Sequence, residues 1–465
     1  MTIQNMLIRR ILQPLSAISN RISVKVRNIA FVICGLMIFF ASFIYQSERF
    51  TFRYLLLFSF DCLMAGGMLF FSLPKTIYPI QFDKLLLLPW CGFSVMALIA
   101  GLTKSEDYLP DAMLYLVMYP VFFLVWSNCD FKSIQKKLIL IVQISFVVFL
   151  GINFLFCPIT GHQYSGFFSN VNGVSYYLSL VFACSLQNII SHEKGRAHLL
   201  CNYIFLGISA ALVVYSNSRT GQLSLIATFF LTAGLLFFVN RRSYGRLFVR
   251  RILPAALSIL IFFPTTLYLF QFPGMVTQIV SDIRTPEQPS EPTPEQPNEP
   301  SPAAEKKLDD IISYNEMKTD MGGRTLNQFS TGRLSIWKAY YDNLSFWGHS
   351  NVTNKVTVDL TEYYSVETIR LCSSAHQTIL EFAYRFGILA GLCYFAFNIS
   401  AGLKSIRYAC KRPDDAYAIM PFVITIVFGS MSLVTSFSGS FCDMIVFYYY
   451  LMQTPIMRKE SATSA

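Results

Sequence analysis

The sequence predicts an all-α polytopic membrane protein with about twelve transmembrane helices and a large extracytoplasmic loop between helices nine and ten. Three observations predict it. Of the 465 residues, 54% are hydrophobic and only 14% charged, whereas an average soluble domain is about 25% charged. The mean hydropathy is +0.46. The apolar residues gather into runs of about 17–22, the length a helix needs to cross a bilayer. This composition argues against a water-soluble enzyme, and soluble-domain sizes do not apply to the chain.

The expected helices cover 29–45, 52–73, 85–102, 111–127, 138–156, 174–190, 199–216, 220–239, 252–272, 386–403, 417–436 and 441–454. The connections between them alternate in charge. One set carries Arg9, Arg10, Arg21, Lys25 and Arg27; Lys75 and Lys84; Lys132, Lys136 and Lys137; Lys194 and Arg196; Arg241, Arg242, Arg246, Arg250 and Arg251; Lys404, Arg407, Lys411 and Arg412; and Arg458 and Lys459. The opposite short connections and span ends carry Arg49, Arg53, Lys104 and Arg219. The positive-inside rule then places both termini in the cytoplasm. The net charge of +10 reports this topology and implies no nucleic acid. The first span ends in Gln46-Ser47-Glu48-Arg49 without a small-x-small cleavage site, so it is expected to stay as an anchor.

Three regions follow: helices one to nine over 1–272, a loop domain over 273–385, and helices ten to twelve with a short cytoplasmic tail over 386–465. The loop contains TPEQPSEP-TPEQPNEP at 285–300, and seven of the chain's 20 prolines lie between Pro286 and Pro302. A segment so rich in Pro and Glu cannot bury a core, so 285–302 reads as an extended, solvated spacer. An arm for a cell-wall partner is the other reading. The remainder, 304–385, mixes aromatics, glycines and charges and is expected to fold against the outer face of the membrane domain.

The 11 cysteines show no C-x-x-C pair. Cys34, Cys62, Cys91, Cys184, Cys201 and Cys393 fall inside apolar spans and read as small buried hydrophobes. Cys157 and Cys372 are a candidate disulfide on the outer face. Asp61 and Asp443 are candidate buried acids within spans, where ionisable residues mark function by default.

Polar groups gather in four clusters on the outer side. Tyr215-Ser216-Asn217-Ser218-Arg219-Thr220-Gly221 forms a tight turn with one cation at the lipid–water boundary; an Arg there also suits snorkelling to lipid headgroups. Gly166-Phe167-Phe168-Ser169-Asn170-Val171-Asn172-Gly173 precedes the sixth span. Its Asn170 and Asn172 suit a helix cap and turn or a lipid or sugar headgroup. Ser330-Thr331-Gly332-Arg333-Leu334-Ser335-Ile336-Trp337 places Arg333 and Trp337 on one helix face, with Ser330 or Thr331 as a candidate cap. A guanidinium fork suits an anion and an indole suits a pyranose face; a surface helix packing its Trp inward is the alternative. His376 opens an amphipathic helix, within which Glu381 and Arg385 form an i,i+4 pair.

An imidazole titrates near pH 6.5 and can take a proton from an alcohol at neutral pH. Two arginines and a histidine on one face, without an expected metal cage, fit one task. They would displace an anionic diphosphate from a lipid-linked sugar, the arginines offsetting leaving-group charge. Arg219, Arg333 and His376 are the candidate catalytic residues, and Ser218, Trp337, Asn170, Asn172 and Arg324 the candidate substrate-binding residues. No cofactor or metal is expected.

Taken in order, these clusters resemble the bacterial O-antigen ligase and O-antigen polymerase superfamily. The resemblance rests on Ser218-Arg219-Thr220-Gly221, on Gly332-Arg333 with Trp337, and on His376 with Leu380 followed by Gly387 and Gly391. It covers roughly residues 160–400. The chain departs from the family pattern at Gln377, where Asn often follows the His, and at Val171, where Pro often separates the asparagines. Ser345 and Gly348-His349-Ser350 replace a Pro and a Gly-x-Gly. The resemblance implies a metal-independent inverting glycosyltransferase whose donor is a glycan on undecaprenyl diphosphate and whose acceptor is a glycan, lipid or protein. It implies that Arg219 and Arg333 hold the diphosphate and that His376 serves the acceptor hydroxyl. Membrane lipid and a chain-length regulator are further candidate partners. Polymerase is the favoured reading, with core ligase and protein-directed transferase as alternatives. A lipid-linked oligosaccharide flippase is the rival from another class. The 191–198 connection is short, and the spans show no internal repeat of the kind a two-half carrier has.

Overall fold

The computed structural model describes residues 3–47, 54–157, 159, 163–168, 170–191, 195–239, 244–284, 332–350, 355–361, 368–372, 374–411 and 420–431. The twelfth expected span, the acid Asp443, the spacer, Arg324, Ser330 and Thr331 lie outside the described residues.

Nine helices among the described residues are long and apolar enough to cross a membrane. In chain order the elements are α1 (3–19), α2 (Val24–Ser47), α3 (Tyr54–Ser72), α4 (Lys84–Thr103), α5 (109–126), α6 (Phe131–Phe156) and α7 (Val171–Ser191). They continue with α8 (Arg196–Tyr215), α9 (Arg219–Val239), α10 (244–284), α11 (Arg333–Asp342), β1 (Val356–Asp359), β2 (Ile369–Cys372), α12 (Thr378–Phe386), α13 (Ile388–Lys411) and α14 (Met420–Met431). The described apolar part of α3 and the 12 residues of α14 are shorter than a full span. The spans alternate in direction, so the bundle has a basic end, with Arg27, Lys84, Lys132, Arg196 and Lys404, and a loop end, where α11, the strands and α12 sit.

Several helices outrun their apolar stretches. α6 starts at Phe131 because the Asp130 carboxylate accepts from the backbone N–H of Lys132 at 3.2 Å, a helix cap. Hydropathy marks the part of a helix that lies in lipid, while capping and backbone hydrogen bonds fix its ends. α1 was not expected at all. Its apolar residues recur every three or four positions, with Ile8 and Leu12 turned inward. Its Ser16 and Ser19 hydroxyls donate to the carbonyls of Pro74 (2.5 Å) and Phe70 (2.7 Å), which pins it beneath α3.

α7 is the central helix: 83% of its span is buried, against 22% for α10. It packs on α6, α8, α9 and α14. Protein on all sides explains how a span tolerates buried Ser175, Ser179, Ser185 and Gln187. A second packing unit joins α4, α12 and α13. Its aromatic core holds Trp90, Phe93, Tyr115, Phe382, Phe386 and Tyr394. The Trp90 indole donates to the Tyr115 carbonyl at 2.9 Å, inside the π turn Leu114–Met118.

The loop end departs from an all-α architecture. β1 and β2 pair antiparallel, with Val356 opposite Cys372 and Val358 opposite Arg370. A separate small core of Ile336, Tyr340, Val356, Val358, Leu360, Ala375 and Tyr384 joins α11, the hairpin and α12. So short a hairpin carries too little apolar signal to stand out among spans.

Two readings of the cysteines are corrected. Cys157 and Cys372 are free thiols. Cys91 and Cys201 are exposed rather than buried, since a helix in lipid keeps an apolar outer face. Asp61 is fully buried within α3.

Candidate functional site

Each of the three predicted catalytic residues stands at the start of a helix. Arg219 is the first residue of α9. The turn before it passes through Asn217 at φ 52, a left-handed conformation that Asn tolerates. The Ser218 hydroxyl oxygen accepts from the Gly221 N–H at 3.2 Å and so caps α9. The helix packs tightly here, for a Cβ on Gly221 would lie 2.7 Å from Ser175. Ser175 in turn shares a 2.6 Å hydrogen bond with Ser216.

Arg333 is the first residue of α11. Gly332 occupies the cap position at φ 76, with no side-chain cap. A left-handed residue there favours glycine. Trp337 sits one turn on, half-buried, with its indole Nε1 buried and unpartnered among the described residues.

His376 lies two residues before α12, at φ 50. The helix therefore begins later than expected. Gln377 is its cap, its side-chain oxygen accepting from the Leu380 N–H at 2.5 Å. The departure from Asn at this position thus keeps a capping amide.

These helix starts meet. Burial, and then the nearby Arg219 cation, lowers the pKa of Arg333. Burial, and then the Arg333 cation, lowers that of His376. His376 is exposed on part of its surface. Arg219 is exposed and Arg333 half-buried, so the cations border accessible space. The asparagine cluster joins the same neighbourhood: the Ser218 hydroxyl donates to Asn172 Oδ1 at 2.9 Å. Asn170 caps α7 by accepting from the Asn172 N–H at 2.7 Å. Asn172-Gly173 accordingly lies in the first helical turn and forms no separate turn. The N-termini of α7, α9, α11 and α12 thus lie around one region, each adding the partial positive charge of its free N–H groups to two guanidinium groups. Such a set suits an anion.

The sequence displayed Arg219, Arg333, His376 and the Glu381–Arg385 pair, but not what that pair holds in place. Glu381, in the first turn of α12, is 3% exposed. One of its oxygens accepts from the Ala375 N–H at 2.7 Å, and the other pairs with Arg385 Nε at 2.5 Å. Despite burial, Glu381, Tyr108 and Asp111 raise the pKa of Arg385. Asp111 stands at the start of an expected span and was passed over for Asp61 and Asp443. His349 pins the loop to α12. Its Nδ1 donates to the Tyr384 carbonyl at 2.9 Å, its backbone N–H donates to the Arg385 carbonyl at 3.2 Å, and its ring stacks on Tyr384 at 4.0 Å. Thr378 ties α12 to α14 by donating to the Gly429 carbonyl at 3.1 Å. The two glycines of the expected pattern are backbone contacts: Gly387, at φ 100, abuts Phe346, and Gly391 abuts Ala383.

Bundle and site together define a multi-pass membrane protein with a cationic, helix-framed site at one end. Its residues 204–395 match the family model described as O-antigen ligase. The matched stretch runs from within α8 to within α13 and contains Arg219, Arg333 and His376. Over those residues the chain is similar to the O-antigen ligase family. No curated protein matches the chain.

Proposed function

We propose that the protein transfers a whole glycan from undecaprenyl diphosphate to an acceptor at the outer face of the cytoplasmic membrane, acting as a surface-polysaccharide polymerase. The carrying observation is the meeting of Arg219, Arg333 and His376 from three separate helix starts. The distribution of basic residues supports placing the loop end outside and the termini inside.

In this reading Arg219 and Arg333 bind the diphosphate, with Ser218, Asn170, Asn172, Trp337 and Arg324 lining the substrate. The acceptor hydroxyl gives its proton to neutral His376 as its oxygen attacks the anomeric carbon. The carbon–oxygen bond to the diphosphate breaks, and undecaprenyl diphosphate leaves with the electron pair. The arginines and helix N-termini stabilise the charge that develops on it. Attack opposite the leaving group inverts the anomeric centre, and the step routes no electrons through a metal.

The departures at Val171, Ser345 and Gln377 favour a polymerase over a core ligase. The deciding experiment supplies purified protein with one substrate, an undecaprenyl-diphosphate-linked repeat unit, and resolves products on a gel. A ladder is expected, because donor then also serves as acceptor. No ladder from folded protein rejects the polymerase reading. Addition of lipid A core or a Ser/Thr peptide then separates ligase and protein-directed transfer from a flippase, which forms no product.

A further inference from the structure

We infer that Glu381 is the positioning residue that holds His376 in its working place; the inference rests on the reading of His376 as the acceptor's base. His376 adopts φ 50, a backbone state that persists in a non-glycine residue only where its surroundings impose it. Two local contacts contribute. The Ser374 hydroxyl oxygen accepts from the His376 N–H at 3.1 Å, and Gln377 caps α12 from the next position. Neither reaches beyond the turn itself.

Glu381 does. Its Oε2 accepts from the N–H of Ala375 at 2.7 Å, the residue just before His376, and both Glu381 and Ala375 are buried. Its Oε1 pairs with Arg385, which lies within electrostatic reach of Tyr108 and of Asp111 on α5. The contacts Arg385–Glu381–Ala375 therefore tie the His376 turn to α12, which packs on α4 and α13 of the membrane bundle. A carboxylate with both oxygens engaged cannot swing without breaking one contact. Burial and Arg333 set the His376 pKa, so Glu381 acts through placement.

The test compares Glu381→Ala and Glu381→Gln as purified full-length protein in the donor-turnover assay, with His376→Ala alongside. A displacement of the order of 1 Å costs about 10²-fold in rate. Glu381→Ala is therefore expected to lose about that factor in kcat, with donor KM and the pH limb little changed because Arg219 and Arg333 remain. Glu381→Gln recovers most of the loss, since its amide oxygen still accepts from Ala375 and Asp111 stays within electrostatic reach of Arg385. Wild-type kcat from Glu381→Ala beside an inactive His376→Ala overturns the inference. So do equal losses in kcat and donor affinity, which mark general support of the fold. Full activity of His376→Ala instead removes the parent reading. Should Glu381→Ala fail to fold, Glu381→Asp keeps the charge one methylene short of Ala375. Reduced kcat supports the inference, and wild-type kcat overturns it.

Discussion

Arg333 and His376 are electrostatic neighbours: burial first, and then the Arg333 guanidinium, hold the imidazole below its ordinary pKa of 6.5. A cation within electrostatic reach of a base has a direct chemical consequence. A depressed pKa leaves the ring neutral over more of the physiological range, and only the neutral ring can accept a proton.

The pH profile follows with a definite sign. Activity that requires neutral His376 is lost as pH falls through the folded-state pKa, so the acid limb of kcat/KM lies below pH 6.5. Arg333→Gln removes the second cause and leaves burial, so its limb moves up towards 6.5 while its rate falls. Initial rates of glycan transfer against pH check both statements. An unmoved limb in a folded Arg333→Gln protein would break the electrostatic link.

Arg219→Ala, Arg333→Ala and His376→Ala are each expected to abolish polymer. Loss of one preorganised charge-stabilising group typically costs about 10²–10³ in rate. Arg219 and His376 are exposed, and substitutions at such surface positions usually change stability by about 0.5 kcal/mol or less. Protein level by immunoblot should therefore stay unchanged while the polymer ladder disappears. Normal polymer from a well-expressed His376→Ala variant would remove the proposed base.

The two halves of this site differed in how plainly the sequence displayed them. Arg219, Arg333 and His376 stood out because charge is rare in so apolar a chain and each sits beside a turn-forming residue. Membrane helices were visible for the same reason, as long runs of one character. Glu381 and Asp111 were less visible, because their roles depend on which helices pack together. The Glu381–Arg385 spacing revealed the pair, whereas the bond to the Ala375 N–H depends on how the turn before α12 folds back. α1 and the β1–β2 hairpin were missed because each is defined by packing against a neighbour. The start of α11 was hard to read because Gly332 enters the helix through a left-handed backbone, where no side chain announces it.

Gly348→Ala should loosen the loop domain from the bundle. Gly348 has φ 78, and a Cβ there would stand 2.1 Å from the Arg385 carbonyl oxygen. The left-handed conformation alone costs an L-residue roughly 1–2 kcal/mol, and backbone atoms on the far side have no rotamer to escape into. The variant is expected to unfold at lower temperature in detergent and to be cut faster by protease between β2 and α11. Since α12 receives the displaced contact, transfer activity should fall with it.

The basic end offers the complementary case, in which stability changes and chemistry does not. Asn202 in α8 is fully buried. Its Oδ1 accepts from Gln143 of α6 at 2.7 Å and from Asn188 of α7 at 3.1 Å. Its amide donates to the His198 carbonyl at 2.6 Å. One side chain thus joins three helices at the end opposite Arg219, which starts the helix after α8. Hydrogen bonds between membrane helices average about 0.6 kcal/mol each, so Asn202→Leu, which breaks two of them, should cost about 1–2 kcal/mol and lower the unfolding midpoint. Turnover per folded molecule should match wild type, because the helix starts that carry Arg219, Arg333 and His376 are untouched. A loss of turnover without a loss of stability would show that the basic end takes part in transfer, and would count against a site confined to the loop end.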